Sequence, residues 1–236
     1  MKVLKFGGSS VGSAENIGKV VEIVKSAVEK NRCAVVLSAM QGTTDALIEV
    51  GNLAENGDES FREKIELIEN KHLAAIEKLF ADADSSQTTK FLQTSIQELK
   101  NICEGIFLLR ELSPRTLDRI VSFGEILSTK IVSAKFDSLG IENNWVDSRQ
   151  LIRTDSNFVN AAVDFPQTNL QIVNYFMSSI SKLYILPGFI ASDSNGTTTT
   201  LGRGGSDFTG AIFAAALDAK VLEIWTDVSG MMSADP

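Results

Sequence analysis

A short apolar segment that breaks into a glycine pair and continues as a helix opens this chain, and it limits the possible folds more than any other feature. Residues 3–6 have the apolar character of a buried strand, and Gly7 and Gly8 follow directly. Ala14–Lys30 has apolar residues at helical spacing and charges on the opposite face. Residues 34–38 are apolar again. This order predicts a βαβ unit with a parallel sheet and a right-handed crossover.

The middle of the chain is predicted to be an all-helical insert between about residues 43 and 140. Apolar residues recur three and four positions apart in three stretches, 43–56, 59–80 and 87–109. Ser113 followed by Pro114 predicts the start of a long helix, because serine caps helix N-termini and proline fits the first turn. Gly140 predicts where that helix ends.

Strands and helices alternate again after the insert. The sequence predicts a short strand, a helix, an interrupted strand, a polar loop, a helix and a strand, over residues 144–146, 167–181, 183–191, 192–200, 206–219 and 221–225. Pro187 and Gly188 cause the interruption. Because alternation occurs at both ends of the chain, we expect an α/β sandwich.

Charge and composition exclude several classes of partner. The net charge of −8 over 236 residues repels nucleic acid and anionic membranes. The longest uninterrupted apolar run, residues 211–217, is much too short to cross a bilayer, and the N-terminus lacks the apolar stretch of a signal peptide. Cys33 and Cys103 lie far apart and are typical of free thiols in a reducing compartment. We therefore expect a cytoplasmic protein.

Two Gly-Gly-Ser stretches, residues 7–9 and 204–206, precede predicted helices. Glycine lets backbone N–H groups approach a ligand and the helix N-terminus adds its dipole, so each stretch predicts an anion-binding loop. Neither matches a common nucleotide fingerprint. A Walker A loop has lysine directly after its last glycine, whereas Ser13 follows Gly12 here, and the Rossmann spacing is absent from both stretches.

A basic residue accompanies each glycine stretch. Lys5 lies inside an apolar run, where its ammonium costs desolvation free energy unless it meets an anion. The alternative is a lysine that faces solvent from an edge strand. Arg203 precedes the second glycine pair, and its guanidinium suits a carboxylate or phosphate. Asp207 lies in the first helical turn and either belongs to the site or only complements the helix dipole.

Glu125 and the pair Thr226-Asp227 are further candidates, whereas His72 is not. Glu125 lies in a largely apolar helix, so it is either a buried carboxylate that needs a cationic partner or a solvent-facing residue. Thr226 and Asp227 end the last strand, where ligands bind in open α/β sheets, although an aspartate before a turn is the alternative. His72, the lone histidine, is predicted to lie on a helix surface, so a Ser-His-Asp triad and a zinc site have no support.

Five strings, in order over nearly the whole chain, resemble aspartate kinases of the amino-acid kinase superfamily. They are KFGGSSVGSAENI, VVLSAMQGTTDALI, RIVSFGEILSTKI, GRGGSDFTGA and EIWTDVSGM. The resemblance implies a three-layer αβα sandwich around a mainly parallel sheet. It implies phosphorylation of the β-carboxylate of L-aspartate by ATP and Mg²⁺, giving 4-phospho-L-aspartate for lysine, threonine and methionine biosynthesis. It also implies a homo-oligomer, and it is somewhat closer to kinases fused to homoserine dehydrogenase.

The resemblance also assigns roles to residues of this chain. The catalytic pair is Lys5 and Asp207. The nucleotide side comprises Lys5, Gly7, Gly8, Ser9, Thr226, Asp227 and Met232. The aspartate side comprises Thr44, Glu125, Arg203, Gly204, Gly205 and Ser206. Glu125 would take the substrate ammonium and Arg203 its carboxylate, and no residue is assigned as a metal ligand. Since a carboxylate is already ionised, the reaction needs positioning and charge neutralisation instead of a general base.

Some features depart from the family. Ser9 stands where threonine is usual, and Met232 stands where a tyrosine is common. The sequence stops directly after a predicted turn, so we expect residues 1–236 to be a catalytic domain truncated at its C-terminal end, with weak or no activity alone. Two other functions stay open. One is phosphoryl transfer to an acylated glutamate, carbamate or nucleotide, and the other is non-catalytic ligand binding on the same fold.

Overall fold

The computed structural model describes residues 1–226, and its elements follow the predicted order. The strands are β1 Lys2–Phe6, β2 Cys33–Leu37, β3 Asn144–Trp145, β4 Leu183–Pro187, β5 Ile190–Ser192, β6 Thr198–Thr200 and β7 Val221–Trp225. The helices are α1 Ala14–Lys30, α2 Thr43–Asn56, α3 Phe61–Leu79, α4 Ser86–Leu109, α5 Pro114–Ser138, α6 Phe165–Ser178 and α7 Gly205–Ala216.

Five strands form one parallel sheet in the order β3-β4-β2-β1-β7. The register pairs Phe6 with both Leu37 and Trp225, and it pairs Leu37 with Pro187. The carboxyl ends of four strands are therefore level at one edge of the sheet. This edge is where open α/β sheets bind ligands.

Helices cover both faces of the sheet. Leu4 and Val35 pack on one face into a core shared with α1 to α5, whereas Val3 and Val36 pack on the other face with α6 and α7. The alternation of side chains along each strand produces this division. The three-layer αβα arrangement and the helical insert are thus confirmed.

The loop predicted over residues 192–200 is partly wrong. Its last three residues form β6, which is buried and pairs antiparallel with β5. Asp118 of α5 accepts hydrogen bonds from the backbone N–H and the hydroxyl of Thr200, at 3.1 and 2.7 Å. A run of threonines therefore forms a strand here, because these β-branched residues favour extended backbone and a buried carboxylate provides a tertiary partner.

The prediction that His72 lies on a helix surface is wrong. The side chain is fully buried, and its Nδ1 lies 2.7 Å from the carbonyl oxygen of Ile68. His72 falls on the buried stripe of α3, one turn after Ile68 and one turn before Ile76. Burial lowers the pKa of His72 to about 4, so the ring stays neutral.

Both cysteines are buried free thiols, as predicted, and burial raises their pKa values to about 11 for Cys33 and about 12 for Cys103. They are therefore poor nucleophiles. None of the helices in residues 1–226 combines the length and the apolar character that a bilayer crossing requires.

Candidate active site

A cleft of about 470 Å³ lies beyond the carboxyl ends of β1, β2 and β4. It collects ten of the fourteen residues that the sequence assigned to the site, namely Lys5, Gly8, Ser9, Thr44, Glu125, Arg203, Gly204, Gly205, Ser206 and Asp207. These residues come from both glycine stretches, from α2 and from α5. The level strand ends bring them together from positions up to 202 residues apart (207 − 5) in the chain.

Lys5 does not face solvent from an edge strand. Its side chain is 8% exposed, and its Nζ lies 2.5 Å from Oδ1 of Asp207. The aliphatic part of Lys5 passes over α7 at Gly210, where an added Cβ would lie 3.3 Å from the Cβ of Lys5. A glycine in α7 thus lets the ammonium reach the first turn of the same helix.

The N-termini of α2 and α7 both open into the cleft. Each follows a glycine N-cap in the left-handed conformation, Gly42 and Gly204, both with φ of 75°. No side chain caps either helix. Because the first N–H groups of a helix lack intrahelical partners, donors around Thr44 and Ser206 are available to anions, which the helix dipoles also favour.

The first glycine stretch packs tightly against the loop after β2. An added Cβ on Gly8 would lie 3.0 Å from the carbonyl oxygen of Ala39. The backbone N–H of Gln41 donates to the carbonyl of Gly8 at 3.1 Å. On the other side, the side-chain amide of Asn16 donates to the carbonyl of Ser9 at 2.9 Å. The loop is therefore fixed between β2 and α1.

The second glycine stretch is held by an equally close approach. At Gly188, an added Cβ would lie 2.8 Å from Oγ of Ser206, so only glycine fits there without displacement. Arg203 is exposed at the cleft, and within residues 1–226 its guanidinium has no carboxylate partner. A bidentate cation is thus available to a bound anion.

Glu125 is a buried carboxylate at the inner end of the cleft. It is 3% exposed, and its Oε2 has no hydrogen-bond partner among the described residues. Burial raises its pKa to about 8, an effect that the Ala39 backbone hydrogen bond and the Lys5 charge only partly offset. An unpartnered buried carboxylate that opens to a cleft is a receptor for a cationic group.

The other four assigned residues are Gly7, Thr226, Asp227 and Met232. Gly7 is close to the cleft, since an added Cβ would lie 3.7 Å from Nζ of Lys5. Thr226 lines a smaller neighbouring pocket that also includes Trp225. Asp227 and Met232 lie outside the described residues.

Sequence reasoning missed other cleft residues, namely Ser38, Met40, Gln41, Asp45 and Phe189. Most of them belong to the loop and first helical turn after β2, whose position after a buried strand was a usable signal. Phe189 has a φ of 65°, which is rare for a bulky residue and has no signature in the sequence.

The cleft combines two cations and backbone donors with three carboxyl groups, of which Glu125 is buried, Asp45 is exposed and Asp207 pairs with Lys5. Two uncapped helix N-termini, Lys5 and Arg203 suit two anionic groups, and Glu125 suits an ammonium. Groups of three or more side chains that could hold a metal ion are absent from residues 1–226. The arrangement suits transfer between two anions, where neutralisation and orientation replace acid–base chemistry.

Known proteins are similar to this chain in sequence and in fold. A sequence profile described as the amino acid kinase family matches residues 1–236. The chain is 34% identical to the bifunctional aspartokinase/homoserine dehydrogenase 2 of Arabidopsis thaliana, over 99% of this chain and 26% of that protein. Two structures of Escherichia coli aspartokinase III are each 33% identical over 98% of this chain and 50% of theirs.

Those two structures differ in their ligands. The complex with lysine and aspartate has a TM-score of 0.89, and the complex with aspartate and ADP has one of 0.86. The chain thus spans between about a quarter and a half of the length of these relatives.

Proposed function

The chain belongs to the amino acid kinase family, and from this premise we propose that it is the catalytic domain of an aspartate kinase. The proposed reaction transfers the γ-phosphoryl group of ATP to the β-carboxylate of L-aspartate. One observation carries the proposal: the cleft combines two cations, Lys5 and Arg203, with the buried carboxyl group of Glu125, whose Oε2 has no hydrogen-bond partner among the described residues. Aspartate offers an ammonium to Glu125 and an α-carboxylate to Arg203, which leaves Lys5 for the phosphate.

Different residues of the cleft would bind the two anions, aspartate and the phosphate. Arg203 and the N-terminus of α7 would bind the α-carboxylate of aspartate, while Glu125 accepts hydrogen bonds from its ammonium. Thr44, at the N-terminus of α2, would orient the β-carboxylate. Lys5 and the backbone N–H groups of Gly8 and Ser9 would face the phosphate. The complex of the E. coli relative with aspartate and ADP supports the choice of these two ligands.

The chemistry balances without a proton acceptor. A β-carboxylate oxygen forms a bond to the γ-phosphorus, the bond from that phosphorus to the β,γ-bridging oxygen breaks, and ADP leaves. Lys5 stabilises the charge on the transferred group. Bound Mg²⁺ would neutralise phosphate charge, and the carboxylates of Asp45 and Asp207 are the oxygen donors it prefers beside phosphates.

Part of the proposed nucleotide site lies beyond the described residues. Asp227 and Met232 stay predictions for the nucleotide side, as do the homo-oligomer, the cytoplasmic location and the C-terminal truncation of the domain. Thr226 lines the pocket beside the first glycine stretch, which supports its assignment to that side.

Hydroxylamine trapping tests the function directly. The intact protein is mixed with MgATP, hydroxylamine and one acceptor at a time: aspartate, N-acetylglutamate, carbamate or a nucleoside monophosphate. We expect a hydroxamate from aspartate, and no comparable ADP release with the other acceptors. Glu125 provides the reason, because an acylated amine has no charge to place against it.

Two other results would replace the proposal. Preferred turnover of an acylated or ammonium-free acceptor would assign the chain to another phosphotransferase of the family. Aspartate binding by calorimetry without any phosphoryl transfer would favour a non-catalytic binding module.

A further inference from the structure

A lysine of the helical insert contacts the loop after β2, which lines the cleft. The ammonium of Lys71, on α3, donates a hydrogen bond to the carbonyl oxygen of Gln41, which lies in the loop between β2 and α2. Lys71 is half-buried, and desolvation lowers its pKa. The two residues are 30 positions apart, so the contact joins the insert to the cleft wall.

Gln41 in turn contacts the first glycine stretch. Its backbone N–H donates to the carbonyl of Gly8 at 3.1 Å. An added Cβ on Gly8 would lie 3.5 Å from the Cα of Gln41, and one on Gly12 would lie 3.3 Å from its Cβ. The position of Gln41 therefore determines where the glycine stretch lies relative to β2.

Gln41 also determines where α2 begins. Gly42, the N-cap of α2, follows it directly, and the backbone N–H of Thr43 donates to the carbonyl of Met40 at 2.9 Å. A displaced Gln41 would move the α2 N-terminus and the glycine stretch together. Both are walls of the cleft that provide donors to anions.

Among residues 1–226, Lys71 has no ion-pair partner. Within residues 1–226 its only polar partner is the Gln41 carbonyl. Lys64 of the same helix is different, since it pairs with Glu49 at 2.9 Å. A cation bound to the Gln41 carbonyl polarises the peptide group between Gln41 and Gly42, which strengthens the Gly42 N–H as a donor at the cleft.

We propose that Lys71 is a positioning residue of the active site, which holds Gln41 so that the first glycine stretch and the α2 N-terminus keep the spacing that two anions require. The part of this inference that concerns catalysis rests on the proposed kinase function. The part that concerns loop position does not, and the two are measured separately.

The first measurement is amide hydrogen exchange of Gln41 in the intact protein. In Lys71→Met we expect its exchange to be about tenfold faster, because a hydrogen bond to a charged group is worth about that factor or more. Lys71→Arg should restore slow exchange, since its guanidinium also donates. Lys78→Met is the matched control, because Lys78 is exposed on the last turn of the same helix.

The second measurement is steady-state kinetics of the same variants. We expect kcat/KM to fall about tenfold in Lys71→Met, mainly through KM, with recovery in Lys71→Arg and no change in Lys78→Met. Unchanged Gln41 exchange in Lys71→Met would overturn the proposal, as would faster exchange spread evenly over the chain with a lower Tm. If the wild-type protein proves to have no kinase activity, the proposed function fails while the exchange result still decides whether Lys71 holds the loop.

Discussion

Lys5 and Asp207 join the two glycine stretches through an ion pair of 2.5 Å. Lys5 belongs to the strand before the first stretch, and Asp207 belongs to the helix after the second. Lys5, the cation proposed to face the phosphate, is therefore already paired with α7, the helix whose N-terminus is proposed to bind aspartate. Its ammonium is oriented before any ligand arrives, which lowers the cost of ordering it during the reaction.

Replacing Lys5 should affect turnover far more than folding. We expect Lys5→Met to lower the rate of aspartyl hydroxamate formation by on the order of 10²-fold or more, as for other removed electrostatic donors. Lys2→Met is the matched control, because Lys2 lies on the same strand and pairs with Glu223 at 2.6 Å. A rate within about tenfold of wild type in Lys5→Met would show that its assigned role is wrong.

Binding of aspartate should release a proton below pH 8. The raised pKa of Glu125, about 8, means that the free site is mostly protonated at pH 7, whereas a bound ammonium favours the ionised form. Affinity for aspartate should therefore increase as the pH rises to about 8 and then level off. Calorimetry at pH 7 in buffers of different ionisation enthalpy counts the protons, and we expect nearly one.

Two controls make that count specific to Glu125. Glu125→Gln should bind aspartate weakly and without proton release, and N-acetylaspartate should release no proton from the wild-type protein. A wild-type count near zero at pH 7 would mean that Glu125 is already ionised in the free site.

Gly124 should be intolerant of a methyl group. It lies in α5 against the loop after β2, and an added Cβ would lie 2.8 Å from the Cβ of Ala39. We expect Gly124→Ala to reduce the free energy of unfolding by about 1–3 kcal/mol, as overpacked cores do. Gly105→Ala in α4 is the comparison, because its added Cβ meets nothing within 4 Å.

Chemical denaturation measures the free energy of unfolding of both variants. Gly105→Ala should raise the free energy of unfolding by about 0.5–1 kcal/mol, the usual gain from removing a helical glycine. Equal effects in the two variants would indicate that the close approach of α5 to the loop costs nothing to disturb.

The buried His72 should make stability fall in mild acid. Its pKa is about 4 in the folded chain against 6.5 for the free side chain, so the unfolded chain binds the extra proton between these values. This contribution is fully present above pH 6.5 and declines as the pH falls to about 4, by about 3 kcal/mol. Urea denaturation of the 236-residue chain across that range measures it.

His72→Leu isolates the contribution of this histidine. Leucine can fill the same apolar site, so the variant should lose part of the pH dependence between pH 6.5 and 4 while remaining folded. The same slope in both proteins would assign the acid sensitivity to carboxylates elsewhere.

Local patterns sufficed for most of the fold and for the glycines and basic residues of the cleft. The apolar periods of α1 and β2, and the cap formed by Ser113 and Pro114, are short-range signals that the structure confirms. The parallel order of the strands then brings Lys5 and Arg203 to one edge of the sheet. In a parallel sheet, residues that follow different strands lie close together at one edge, and the connection rules leave few other topologies.

Two of the three failures involve contacts between residues that are far apart in the chain. Nothing near residues 198–200 reveals that Asp118 will pair with Thr200, 82 positions away. The immediate neighbours of His72, Lys71 and Leu73, favour a surface position, whereas the residues one helical turn away, Ile68 and Ile76, indicate a buried one. The left-handed backbone of Phe189 depends on tertiary packing, which a single sequence does not display.

The two glycine N-caps have a consequence for how such a protein can evolve. The donors that they leave open at α2 and α7 belong to the main chain, so substitution of a side chain does not remove them. The capacity to hold anions is therefore inherited with the backbone, while acceptor choice depends on a few exchangeable side chains such as Glu125 and Arg203. A lineage could change its substrate at those positions and leave the transfer chemistry intact.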